Sequence, residues 1–191
     1  GGVPKVDGMS EADTTGTEAA GMDPALDPAA VRRTGTEREL LQAWLDYHRQ
    51  TLRWKCSRLT PEQLCEASVP PSNLTLVGLA RHMAEVERWW WRRVVAAEDI
   101  GDLYCTPEHE DGDFDLVDPQ TTAADLDALE SEIAVADRIF ARAELDALVH
   151  HPRRDVDFTV RWVAQHMVEE WARHMGHADL LRERIDGASG S

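Results

Sequence analysis

Val163, Met167, Glu170, His174, His177 and Leu181 recur at spacings of four, three, four, three and four residues. That rhythm traces one seam of a helix turned toward a partner. A carboxylate and two imidazoles therefore stand where apolar side chains are expected. Burying an unpaired carboxylate costs on the order of several kcal/mol, so Glu170 needs a compensating charge. A cation is the simplest one. Residues four apart on a helix have Cβ atoms about 5–6 Å apart, so Glu170 and His174 can close on one ion. Metal–ligand bonds of about 2.0–2.2 Å fit that gap. Another helix offers the third ligand: His82 stands among Leu79, Met83 and Val86, on an apolar side. Helices in contact lie roughly 8–10 Å apart, a distance that two inward side chains bridge through a metal. Two imidazoles and one carboxylate with open positions suit catalytic zinc first, with non-haem iron, nickel and manganese as alternatives. Taken singly, each piece has a bland explanation. A lone inward histidine is usually a hydrogen-bonded core residue, and Glu-x-x-x-His recurs on solvated helix faces. Joint placement on inward seams is what favours an ion.

Other chemistry-bearing residues carry weaker signals. His166 lies one turn before Glu170 and packs beside the pair. His48, Arg49 and Lys55 read as surface or boundary residues of the first helix, with Arg49 or Lys55 as a candidate anchor for a substrate carboxylate. Trp89, Trp90 and Trp91 point in three directions on a helix, so one or two rings must meet a loop, a subunit or a ligand; packing or a homodimer interface is the favoured outcome. Asp111, Asp113 and Asp115 hint at calcium, but Leu116 and Thr122 occupy positions where an EF-hand loop needs Gly and Glu, which leaves a solvated acidic loop. Neither a Gly-rich phosphate loop nor a nucleophile elbow is present.

Four helical stretches must position these residues. The first opens at Thr36, with Glu39 completing a capping box, and continues through Leu41, Trp44, Leu45, Leu52, Cys56 and Leu59. Thr60–Pro61 starts a new turn, and Pro70, Pro71 and Ser72 break the chain. The second helix is predicted over about residues 75–97. A long acidic loop follows over 98–120. The third helix is predicted over about 122–147, with Leu126, Leu129, Ile133, Ala136 and Phe140 as its stripe. Residues 152–157 form a connector, and the fourth helix runs over about 159–185 to a stop at Gly187. Alternating strand patterns are nearly absent. The expected class is all-α, an antiparallel four-helix bundle with long crossover connections.

Residues 1–33 hold few large apolar side chains and read as a disordered tail, its first eight residues an expression remnant ahead of Met9. Residues 34–187 form the folded unit, and 188–191 a frayed end. The balance of 36 acidic against 20 basic residues, a formal charge of −16, argues against nucleic acid and anionic membranes as partners. No apolar run approaches the roughly 18 residues of a membrane span. Cys56, Cys65 and Cys105 form an odd set without C-x-x-C spacing, which reads as three reduced thiols in a cytoplasmic protein.

Two stretches go further. Leu74–Arg88 (LTLVGLARHMAEVER) and Arg161–Glu183 (RWVAQHMVEEWARHMGHADLLRE) closely resemble the DinB-like superfamily, with the actinobacterial mycothiol-transferase-like branch nearest. The resemblance covers about residues 36–187. It implies a four-helix bundle with a metal triad, in which the second-helix histidine is His82. The other two ligands lie four apart on the fourth helix, commonly His-x-x-x-His and sometimes Glu-x-x-x-His, and fall here on Glu170 and His174. The carboxylate variant is similar to the arrangement in mycothiol-dependent maleylpyruvate isomerase, usually a longer two-domain chain. A glutamine common three residues after the last ligand is His177 here. That departure leaves His177 as a partner of the ligands, a fourth ligand or a proton carrier. The activity implied is metal-dependent transfer of a low-molecular-weight thiol, mycothiol foremost, onto a small electrophile, in detoxification or specialised metabolism. The alternatives are a non-catalytic module that sequesters a metal or small molecule, and a structural triad in a protein that acts by dimerising.

Overall fold

The structure, a computed structural model, describes residues 27–189. Helix ends follow the local chemistry of the chain. The Thr36 hydroxyl accepts the Glu39 N–H while the Glu39 carboxylate accepts the Thr36 N–H, and this capping box opens α1 (Glu37–Cys56). Thr60 and Gln63 repeat the device for the short α2 (Pro61–Leu64). The Thr75 hydroxyl accepts the Gly78 N–H and starts α3 (Leu76–Glu87). The last long helix, α6 (Val160–Asp186), is capped by Thr159 and stops at Gly187, whose φ of 76° suits a residue without Cβ. Between them lie α4 (Gly112–Asp115), α5 (Thr122–Arg142), and an antiparallel hairpin of β1 (Leu148–His151) and β2 (Val156–Thr159).

The chain is thus mostly helical, as expected. α1 packs along α6, α3 packs along α5, and α3 also meets α6. Leu45, Leu52, Leu76, Leu79, Met83, Trp91, Phe140, Met167 and Trp171 fill the space between them and are essentially inaccessible. Inside this apolar core sits one charged knot. Glu87 of α3 accepts bonds from Arg49 Nε (2.9 Å) and Nη2 (2.8 Å) of α1, and from Trp171 Nε1 of α6 (2.8 Å). Arg49 also reaches Asp137 of α5 at 2.7 Å. One buried carboxylate keys three helices together, and Arg49 ties in the fourth through Asp137. Burial pushes the Glu87 carboxyl up, and the Arg49 guanidinium opposes that rise.

Several expectations need correction. The second helix does not stay regular to residue 97. From Arg88 to Val95 it widens into a π-helical turn, and the Ala96 N–H bonds the carbonyl five residues back, on Trp91. The third helix ends at Arg142 rather than near 147. The carbonyls of Leu145 and Ala147 instead accept the N–H groups of Arg161 and Val160, donors that the first turn of α6 cannot satisfy by itself. The connector predicted over 152–157 is the turn of the hairpin and the first two residues of β2, and the hairpin pairs Val149 with Phe158 and His151 with Val156. Trp44 belongs to the outer face of α1, at 40% exposure, and not to its apolar stripe.

Residues 27–33 hold a short 3-10 turn over Pro28–Ala30, capped by Asp27. The remainder of the expected tail, residues 1–26, and the last two residues lie outside the described residues. Among the described residues no helix is long and apolar enough to cross a membrane.

Candidate metal centre

His82 leaves α3 toward α6, and Glu170 and His174 leave α6 toward α3. One nitrogen or oxygen of each lies within 4.8 Å of the others. Glu170 Oε2 is 3.6 Å from His174 Nε2, and the two imidazole rings are 4.6 Å apart between centroids. A tetrahedral ion with bonds of about 2.1 Å holds its ligand atoms roughly 3.4 Å apart, so the three side chains stand close to a coordination sphere. All are mostly covered without being sealed, with side-chain exposures of 24% for His82, 17% for Glu170 and 11% for His174.

Both imidazoles have their Nδ1 engaged. His82 Nδ1 lies 2.7 Å from Asp113 Oδ2. Only a neutral ring with hydrogen on Nδ1 can both donate there and present a bare Nε2 to a cation. His174 Nδ1 lies 3.4 Å from His177 Nδ1, and the same reasoning makes His174 the donor when its Nε2 ligates. Burial, then the neighbouring His82, His177 and Arg173, depress the His174 pKa to about 4, so the ring is neutral at pH 7. Carboxylate-to-histidine support of this kind fixes ring orientation and raises ligand basicity.

Asp113 is the partner of the candidate triad that the sequence alone does not single out. The acidic stretch 98–120, expected to be solvated, is docked at its centre. The Glu85 carboxylate accepts the N–H groups of Leu103, Tyr104 and Cys105. Arg81 lies over the Tyr104 ring and donates to the carbonyls of Gly112 and Asp113 at 2.8 and 3.0 Å. A Cβ on Gly112 would come within 2.5 Å of the Tyr104 carbonyl, so glycine is required for that approach. Phe114 then stacks on His82 with 4.7 Å between ring centroids.

A cavity of about 440 Å³ opens beside His82 and Glu170. Trp89, Trp90, Trp162 and His166 line it, together with Arg153 and Arg154 of the hairpin turn. The π-helical turn sets the tryptophans apart: Trp91 packs into the core against Phe140, while Trp90 meets His151, Phe158, Trp162 and His166. His166 Nε2 lies 3.6 Å from Glu170 Oε1, which puts it beside the triad.

Arg49 and Lys55 are elsewhere. Their side chains are 1% exposed, Arg49 in the knot with Glu87 and Asp137 and Lys55 against Asp179 at 2.6 Å. His48 is also buried, so the surface or boundary placement expected for these three is corrected. None of them lines the cavity, where Arg153 and Arg154 are the cationic groups instead. The cysteines offer no ready nucleophile: burial pushes Cys56 up to about 12 and Cys105 up to about 11, and raises Cys65.

Residues 40–187, running from within α1 through the end of α6, match the family model described as MST: Mycothiol-S-transferase. No curated protein matches the chain.

Proposed function

Because the chain belongs to the mycothiol-S-transferase family, we propose that it transfers a low-molecular-weight thiol of the mycothiol type onto a small electrophile, using one divalent cation held by His82, Glu170 and His174. The observation that carries this reading is the convergence of those three side chains, two of which, His82 and Glu170, line a cavity, with Nδ1 of each imidazole within reach of a hydrogen-bonding partner. α1, α3, α5 and α6 form the four-helix bundle of DinB-like type that carries the site. Zinc suits the two-nitrogen, one-oxygen donor set best.

Such a cation supplies the Lewis acidity that lowers an incoming thiol from its ordinary pKa of about 8.5. The chain's own residues do the rest. Asp113 orients His82 and His177 orients His174, so that neither ring has to turn or shed a proton when thiol arrives. Trp89, Trp90 and Trp162 exclude water from the space where sulfur meets carbon. The sulfur must come from the co-substrate, since the chain's cysteines are held as thiols. A cytoplasmic setting fits both a reduced co-substrate and three free cysteines.

The test is zinc-loaded, tag-free protein mixed with mycothiol and monochlorobimane. Sulfur forms a bond to the chloromethyl carbon, and chloride leaves with the bonding pair. The expected result is fluorescent conjugate forming well above the metal-free control over many turnovers, with His82→Ala inactive but still helical. A rate no higher than the metal-free control overturns the reading, and a halt after one equivalent favours sequestration over catalysis.

A further inference from the structure

The cavity beside the triad combines two features that together suit an aromatic anion. One is an aromatic ridge. Phe158, Trp162, His166 and Glu170 follow one another at four-residue spacing from the end of β2 along one ridge of α6. The Trp162 ring is stacked between Phe158 at 4.2 Å and His166 at 4.9 Å, with interplanar angles of 22° and 20°. Trp162 remains 41% exposed, a large apolar surface left open beside the cavity. The ridge ends at Glu170, so a ring lying along it is led toward the triad.

The other feature is cationic. Arg153 and Arg154 both line the cavity. Asp102 is shared between Arg93 at 2.5 Å and Arg153 at 3.4 Å, so one carboxylate faces two guanidiniums. Among the described residues Arg154 makes no ion pair. The chain as a whole carries a formal charge of −16, so this pair is a local reversal of sign. An anion approaching the rest of the surface is repelled, whereas paired guanidiniums bind a carboxylate with charge-assisted, two-point geometry.

We infer that the electrophile accepted by this site is a planar aromatic acid, its ring against the open edge of Trp162 and its carboxylate at Arg153 and Arg154. The inference rests on the transferase reading for what becomes of the occupant. In an acceptor such as 4-(chloromethyl)benzoate the C–S bond forms as the C–Cl bond breaks, chloride takes the electron pair, and the thiol proton passes to solvent.

The test needs no turnover. Quenching of tryptophan fluorescence is titrated with 4-nitrobenzoate and with its neutral isostere 4-nitrobenzamide, using the full chain both zinc-loaded and metal-free. The acid is expected to bind at least tenfold tighter than the amide in both forms, with a preference that shrinks as salt rises. The double variant Arg153→Gln/Arg154→Gln is expected to abolish that preference and leave amide binding in place, while Trp162→Ala weakens both probes. Equal affinity for acid and amide overturns the inference. So does a preference that survives the arginine substitutions, or one that appears only with zinc. Conjugation of monochlorobimane without any preference for the acid would sink this inference alone. Acid preference without any thiol transfer would sink the transferase reading and leave the anionic subsite standing.

Discussion

Replacing Asp113 by asparagine removes one negative charge 2.7 Å from His82 Nδ1 and leaves the shape of α4 almost unchanged. The amide has one oxygen where the carboxylate has two, so it accepts from the His82 Nδ1–H only by giving up the Phe114 N–H that Oδ1 accepts at 3.0 Å. With the amide so turned, His82 keeps a hydrogen-bond acceptor but loses the charge-assisted part of the bond, about half its strength. Loss of such support to a ligating histidine costs roughly 10–100-fold in metal affinity. Asparagine should lie near the lower limit, about tenfold or 1.4 kcal/mol. Asp113→Ala, which leaves Nδ1 to water, should lie toward the upper one. The assay is competition for zinc between metal-free protein and a chromophoric chelator, with circular dichroism to show that the helices remain. Asp115→Asn is the control: it sits on the same short helix, but its carboxylate accepts a bond from Asn73 rather than from a ligand. Unchanged zinc affinity in both Asp113 variants, or an equal loss in the Asp115 control, would refute the reasoning.

Further outcomes follow from other parts of the structure. Gly112→Ala brings a Cβ against the Tyr104 carbonyl, so it should loosen the segment that carries Asp113; zinc affinity should fall with little change in the urea midpoint, and unaltered affinity would contradict the docking of that loop. Arg49→Met leaves Glu87 buried and unpaired, which should lower unfolding free energy by about 3–5 kcal/mol, whereas Arg49→Met/Glu87→Leu should recover part of it; urea titration of both variants is the check. Burial holds the His48 imidazole below its ordinary value of 6.5. The unfolded chain then binds the extra proton first, so its contribution to stability is present above pH 6.5 and is lost as pH falls toward the folded value. His48→Phe should flatten that part of the pH profile, and identical urea midpoints for wild type at pH 7.5 and 5.5 would show that the burial has no energetic consequence.

The features legible in the sequence were the local ones. Thr36 with Glu39, and Gly187 after Ile185 and Asp186, act through bonds to residues three or four positions away, so the helix ends they set need no tertiary knowledge. The seam of Val163, Met167, Glu170 and His174 was readable because a helix turns that spacing into one face. The π-helical turn was hidden, since widening one turn changes no residue type. The hairpin was hidden too: its strands have four residues each, and Leu148 at their start is 70% exposed, so neither alternation nor burial marks them. Arg49 is buried only because Glu87 and Asp137 come to it from other helices, a pairing with no signature in the sequence. Asp113 was one carboxylate among many in an acidic loop, and nothing local distinguishes the one that meets His82. Arg153 and Arg154 gained their place at the cavity from the hairpin itself.

The most direct test is an anomalous-difference map from crystals of tag-free protein grown with zinc. The account predicts one strong peak per chain, bonded at about 2.0–2.2 Å to His82 Nε2, His174 Nε2 and a Glu170 carboxylate oxygen. A map with no peak between α3 and α6, or with zinc bound through His82 Nδ1 in place of its bond to Asp113, would contradict it.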